Sequence, residues 1–146
     1  MISEIIKEKT SADHLLYVSL KYTKTGDVIL NLLARWKSLI ELSFDSILEL
    51  YVNQNKIPLM PVSPKQRIEF IRKYFKDYKS VQNIIHVYVF FKRVPDCPKS
   101  REGEFRKNVN LKVKLQNETV NVNLQKLDEY SLMIDDFIKD IKEILG

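Results

Sequence analysis

Glycine is scarce: Gly26, Gly103 and Gly146 are the only three in 146 residues. So few exclude glycine-rich phosphate loops, and neither GxGxxG nor a Walker A pattern is present. Cysteine occurs once, at Cys97, which excludes an internal disulfide framework and a cysteine-built zinc site. His14 and His86 are the only histidines, so a histidine-rich metal site is excluded as well, and neither metal nor cofactor is expected. His14 beside Asp13 reads as a surface or helix-packing residue, and His86 as a partly buried core histidine. The longest apolar run, Ile84 to Phe91, is interrupted by His86 and is far too short to span a membrane. The opening MISEIIKEKT alternates charge with Ile and lacks the apolar core of a signal peptide. The expectation is a soluble cytoplasmic protein that has no membrane partner.

What the chain does have is apolar content at the ordinary globular level, 45%, enough for one domain over residues 1–146. Its organising stretch runs from Val28 to Tyr51. There Ile29, Leu33, Trp36, Ile40, Ser43, Ile47 and Leu50 keep the alternating spacing of four and three that marks a helix packed on other helices. Leu32, Leu39, Phe44 and Leu48 widen the stripe until the helix must be central and buried.

Charge is unevenly placed. Residues 1–61 balance, with seven basic and seven acidic side chains, whereas residues 62–114 carry fourteen basic against five acidic. The last 32 residues are acidic, with three basic and seven acidic side chains. A basic middle segment implies RNA, DNA or an acidic protein as partner, and Arg72, Lys73 and Lys76 are its densest helical run. A solvated basic face offset by the acidic last helix is the plainer alternative.

Taken in order, the spacing predicts a first helix over Ser3 to Thr23, with Gly26 in the left-handed position after its end. The second helix follows. A loop from Asn53 to Val62 holds Pro58 and Pro61. Ser63-Pro64-Lys65-Gln66 starts a third helix with a cap and a proline at its first position. The helical spacing continues through Val81, Ile84, Ile85, Tyr88 and Val89, so this helix is read onward with a kink near Ser80. Arg93 to Glu104 is a charged loop. From Asn108 to Leu124 the period changes to two. A hairpin turning at Asn117-Glu118 would pair Leu115 with Val120, Val113 with Val122 and Leu111 with Leu124, all on one face. Such a hairpin needs helices or a partner to cover that face. The last helix starts at Gln125 or Asp128 and ends at Leu145. The expected fold is mainly α, a four-helix bundle with a β-hairpin, at about 108–124, inserted before the last helix. The generous apolar surface and the hairpin's edges predict a homodimer.

The densest polar cluster is Arg101-Glu102-Gly103-Glu104-Phe105-Arg106-Lys107-Asn108. Arg101 and Arg106 with Glu102, Glu104 and Asn108 can hold a phosphate or polarise a phosphodiester, or tie the loop to the bundle by salt bridges. With the first-helix sequence SADHLLYVSLKYTKT, the long second helix and this arginine motif before the last helix, the chain resembles the HEPN families, helical domains found in prokaryotic toxins and nucleotide-binding proteins. Active HEPN ribonucleases carry an arginine followed, after four to six residues, by a histidine that works as acid or base. In this chain Asn108 stands at the place of that histidine, and an amide carries no proton at neutral pH. The resemblance therefore implies a non-enzymatic interaction module. The alternative is a metal-independent ribonuclease using Arg101, Glu102, Glu104 and Arg106.

Overall fold

The computed structural model describes residues 2–146. Five helices and a three-stranded antiparallel sheet form the fold, in place of the four helices and lone hairpin expected. Helix α1 (Ile2–His14) runs on through a π-helical turn (Leu15–Ser19) and one last α-turn (Leu20–Tyr22). Ala12, Leu16 and Leu20 are buried and spaced by four, so they share the inward face of this helix.

Helix α2 (Gly26–Asn53) is the centre, with twelve buried residues along its length. Trp36 is 1% exposed and stacks on Phe91 at 5.9 Å while meeting the edge of Tyr130 at 6.2 Å. Gly26 does not terminate α1. It is the first residue of α2, which Thr25 caps by accepting from the Val28 N–H.

The predicted third helix is two: α3 (Pro64–Tyr74), with Ser63 accepting from the Gln66 N–H, and α4 (Lys79–Arg93). The break falls at Phe75–Tyr78 rather than at Ser80. Phe75 leaves the helical path to bury against Tyr51, 5.0 Å away between ring centres. The Gln82 side-chain amide then donates to its carbonyl at 3.0 Å, which satisfies one of the acceptors a helix end leaves open.

A 3-10 turn (Val94–Asp96) leads into β1 (Lys99–Glu102), a strand read from the sequence as loop, which pairs with β2 (Asn110–Lys114). Strand β3 (Thr119–Asn123) lies on the other side of β2. The hairpin exists, but its register is two residues from the expected one: Leu111 faces Val122 and Val113 faces Val120. Its turn is at Gln116-Asn117, closed by the Leu115 N–H donating to the Glu118 carbonyl. A slip of two preserves the inward face, so Leu111, Val113 and Val122 are all buried. The cause of the slip lies at the far end. Asn123 caps α5 (Leu124–Leu145) by accepting from the Lys126 N–H at 2.9 Å, which makes Leu124 helical and removes it from the ladder.

Candidate functional site

The Arg101–Asn108 cluster is built into the framework. Arg101 occupies an inward position of β1, in line with Leu111 and Val122 across the sheet. Its aliphatic stem lies on Gly26, so closely that a Cβ there would sit 2.7 Å from its Cγ and 2.9 Å from its Cδ. Its guanidinium meets Asp27 at 2.7 Å and Glu104 at 3.9 Å. Glu104 also accepts from the Gly26 N–H at 3.1 Å, and the Phe105 N–H donates to the Lys24 carbonyl at 2.6 Å. These contacts clamp the loop to the start of α2.

The other members of the cluster point elsewhere. Glu102 is on the outer sheet face, 3.1 Å from Lys112. Asn108 packs on Gly103, which has φ +62° and leaves no room for a Cβ, since one would sit 2.6 Å from the Asn108 carbonyl oxygen. Arg106 is exposed and, among the described residues, has no carboxylate within 4.0 Å.

Both histidines are exposed. For His86 this corrects the expectation of a core position: it falls on the outer side of α4, between the buried Ile85 and Val87. Among the described residues no group of three or more His, Cys, Asp or Glu side chains stands together as metal ligands would.

A second polar cluster was not anticipated from the sequence. Glu41 and Asp45, one turn apart on α2, meet Tyr88 and Arg67 in a small cavity of about 180 Å³ between α2, α3 and α4. The Tyr88 hydroxyl donates to Glu41 at 2.8 Å, and Arg67 donates to Asp45 at 2.6 Å and to the Pro61 carbonyl at 3.0 Å. Burial, then the Glu41 hydrogen bond, drive the Tyr88 hydroxyl far above the usual phenol range. Burial also raises the Asp45 carboxyl, outweighing the pull of Arg67. Each carboxylate already has a donor, and Arg67 draws the proline loop onto α2. The spacing of four between Glu41 and Asp45 was the available signal.

Unpaired positive charge also gathers between α3 and α4. A depression of about 300 Å³ runs between α3 and α4, with Lys65, Arg72, Lys92 and Arg93 around an apolar floor of Ile68 and Val89. Glu69 is the one acid lining it. None of the four cations is within 4.0 Å of a carboxylate among the described residues. Of the run singled out in the sequence, Arg72 lines this groove, while Lys73 and Lys76 are exposed and outside its lining, Lys76 beyond the end of α3. Lys65, at the start of α3, and Lys92 and Arg93, from the end of α4, are the members that sequence reasoning missed, the latter two because they belong to a helix read as continuous with α3. No helix among the described residues is long and apolar enough to cross a membrane. No known protein family, curated protein or solved structure matches the chain.

Proposed function

We propose that the chain is a non-enzymatic, HEPN-like interaction module that holds nucleic acid by its phosphates along the groove between α3 and α4. One observation carries this reading: four cations ring the groove with a single carboxylate among them. An arrangement of this kind raises the local positive potential and favours a polyanion. The apolar floor lowers the local dielectric and strengthens that attraction. Arg101 has less to offer a phosphate, since Asp27 and Glu104 already engage it.

Binding is expected to be salt-dependent, with log K falling by about 0.7 per neutralised phosphate on a single strand. Fluorescence anisotropy with a labelled mixed-sequence RNA, titrated with salt, tests this. Charge reversal at Arg72, Lys92 and Arg93 together should flatten the slope and leave the melting curve close to wild type. Reversal at Arg101 should instead lower the melting temperature. No binding at low salt would remove the nucleic-acid reading and leave the groove for an acidic protein.

Self-association as a two-fold pair belongs to the same reading. The support for it is apolar side chains left exposed, Tyr22 at 77% and Leu132 at 67% among them, which a second copy would cover. Light scattering that reports a monomer throughout the micromolar range would refute it.

A further inference from the structure

The groove between α3 and α4 has a counterpart elsewhere on the chain. Its apolar floor and its charges follow helical spacing. Lys65 stands three residues before Ile68 and Arg72 four after it, while Lys92 and Arg93 stand three and four after Val89. Residues three and four apart share one face of a helix. Each floor residue is therefore flanked by cations on its own helix, and Val89 is 42% exposed. Glu69 alone opposes them.

The outer face of α5 shows the converse. Leu132, within that helix, is 67% exposed. Asp128 and Glu129 precede it by four and three residues, and Asp135 and Asp136 follow it by three and four. All four carboxylates are exposed. Glu129 has Lys126 at 3.5 Å, and Asp135 has Lys9 at 2.9 Å. Asp128 and Asp136 have no cation within 4.0 Å among the described residues. A single exposed leucine is ordinary. One with an acid at each neighbouring position of its own helix face is a patterned surface.

The two surfaces match in charge and in apolar character. The groove is an apolar floor among cations, and the helix is an apolar projection among acids. Opposite charges arranged in this way steer encounter and fix register. An amphipathic helix laid into a groove is also a recurring mode of recognition. The depression of about 300 Å³ has room for a leucine side chain. No residue of α5 lines the groove of its own chain, so an α5 that enters it comes from another copy.

We infer that the groove is the docking site for α5 of a second copy, with Leu132 on the floor of Ile68 and Val89 and its four carboxylates against the surrounding cations. The inference rests on the self-association reading above and names the interface for it. It also gives the groove a means of regulation. Helix α5 and a nucleic acid cannot fill the same depression together, so each occupant opposes the binding of the other.

Two variants with opposite changes test this by light scattering in the micromolar range at low salt. One reverses the groove by Arg72→Glu, Lys92→Glu and Arg93→Glu. The other reverses the helix by Asp128→Lys and Asp136→Lys, which leaves the Lys9–Asp135 and Lys126–Glu129 pairs in place. Each alone should associate at least about tenfold more weakly than wild type, with a melting curve close to wild type. Mixed together they should associate again, because the intact groove of one meets the intact helix of the other. Leu132→Ala, at an exposed position, should weaken association without lowering the melting temperature, and it decides the matter if either charge variant melts early. Wild-type association should also weaken as salt is raised, because screening shortens the reach of the charges. A wild-type monomer throughout this range overturns the self-association reading and this inference with it. Association that the variants leave unchanged, or charge variants that stay apart when mixed, overturns this inference alone. RNA that binds wild-type protein without separating the associated copies overturns it too.

Discussion

Gly26 and Arg101 show how one residue's absence of a side chain sets another's place. Arg101 can reach Asp27 and Glu104 only because nothing projects from Gly26. Gly26→Ala should therefore cost roughly 1–3 kcal/mol, as overpacking does. In an Arg101→Ala background the same change should be neutral or stabilising, because alanine is the better helix former. A double-mutant cycle read by urea unfolding would show coupling of about 1 kcal/mol or more, and simple additivity would show that the two do not touch. Two other residues contribute to the alkaline limit beside Tyr88. Burial, with a smaller effect of Glu129, pushes the Tyr130 hydroxyl up to about 12 from an ordinary 10.0. Burial pulls the Lys9 ammonium down, but its hydrogen bonds to Asp13 and Asp135 more than restore it, and its net shift is upward. Both groups hold their protons more tightly when folded, so their contribution is present at neutral pH and is lost as pH rises above 10. The melting temperature should fall steadily from pH 10 to 12, and Tyr130→Phe should fall less steeply. An unchanged pH profile for Tyr130→Phe would contradict this.

Among the elements, what the sequence made legible followed from periodicity. Helix α2 was plain because its apolar stripe runs unbroken through Trp36, and the inward face of the hairpin was plain because Leu111, Val113 and Val122 alternate. Strand β1 was invisible, since Lys-Ser-Arg-Glu has no apolar residue to mark a face. Its two inward positions are instead charged and satisfied locally. Lys99 donates to the carbonyls of Val94, Pro95 and Cys97, and Arg101 turns to α2. Inward charges on a short edge strand also discourage pairing with other chains. The register slip has the same kind of origin: a capping asparagine ended β3 one residue before the apolar pattern did. Asn123→Ala should accordingly cost about 1 kcal/mol, measured as a lower midpoint of chemical unfolding. No change in midpoint would mean that the cap contributes nothing to α5. The candidate site was half legible. Composition located the positive charge in residues 62–114, and Arg72 was identified. Lys92 and Arg93 join it only because the chain reverses at Phe75–Tyr78, a break that no proline or glycine announces.

At the scale of the whole molecule, charge is sorted by where it finds partners. Arg67, Arg101 and Lys112 are neutralised by nearby carboxylates, while the cations of α3 and the end of α4 face one another across an open groove. Four of the fourteen cations of residues 62–114 thus gather in one groove with a single acid, while Arg101 and Glu104 are part of the framework. The central claim is that this groove, not the Arg101 loop, meets the ligand. Backbone amide shifts recorded by NMR as a short single-stranded RNA is added at low salt test it most directly. The account predicts that the largest shifts fall on Lys65, Arg72, Lys92 and Arg93, with Asp27, Arg101 and Glu104 unmoved. Shifts centred on Arg101 and Glu104, with α3 and the end of α4 silent, would contradict it.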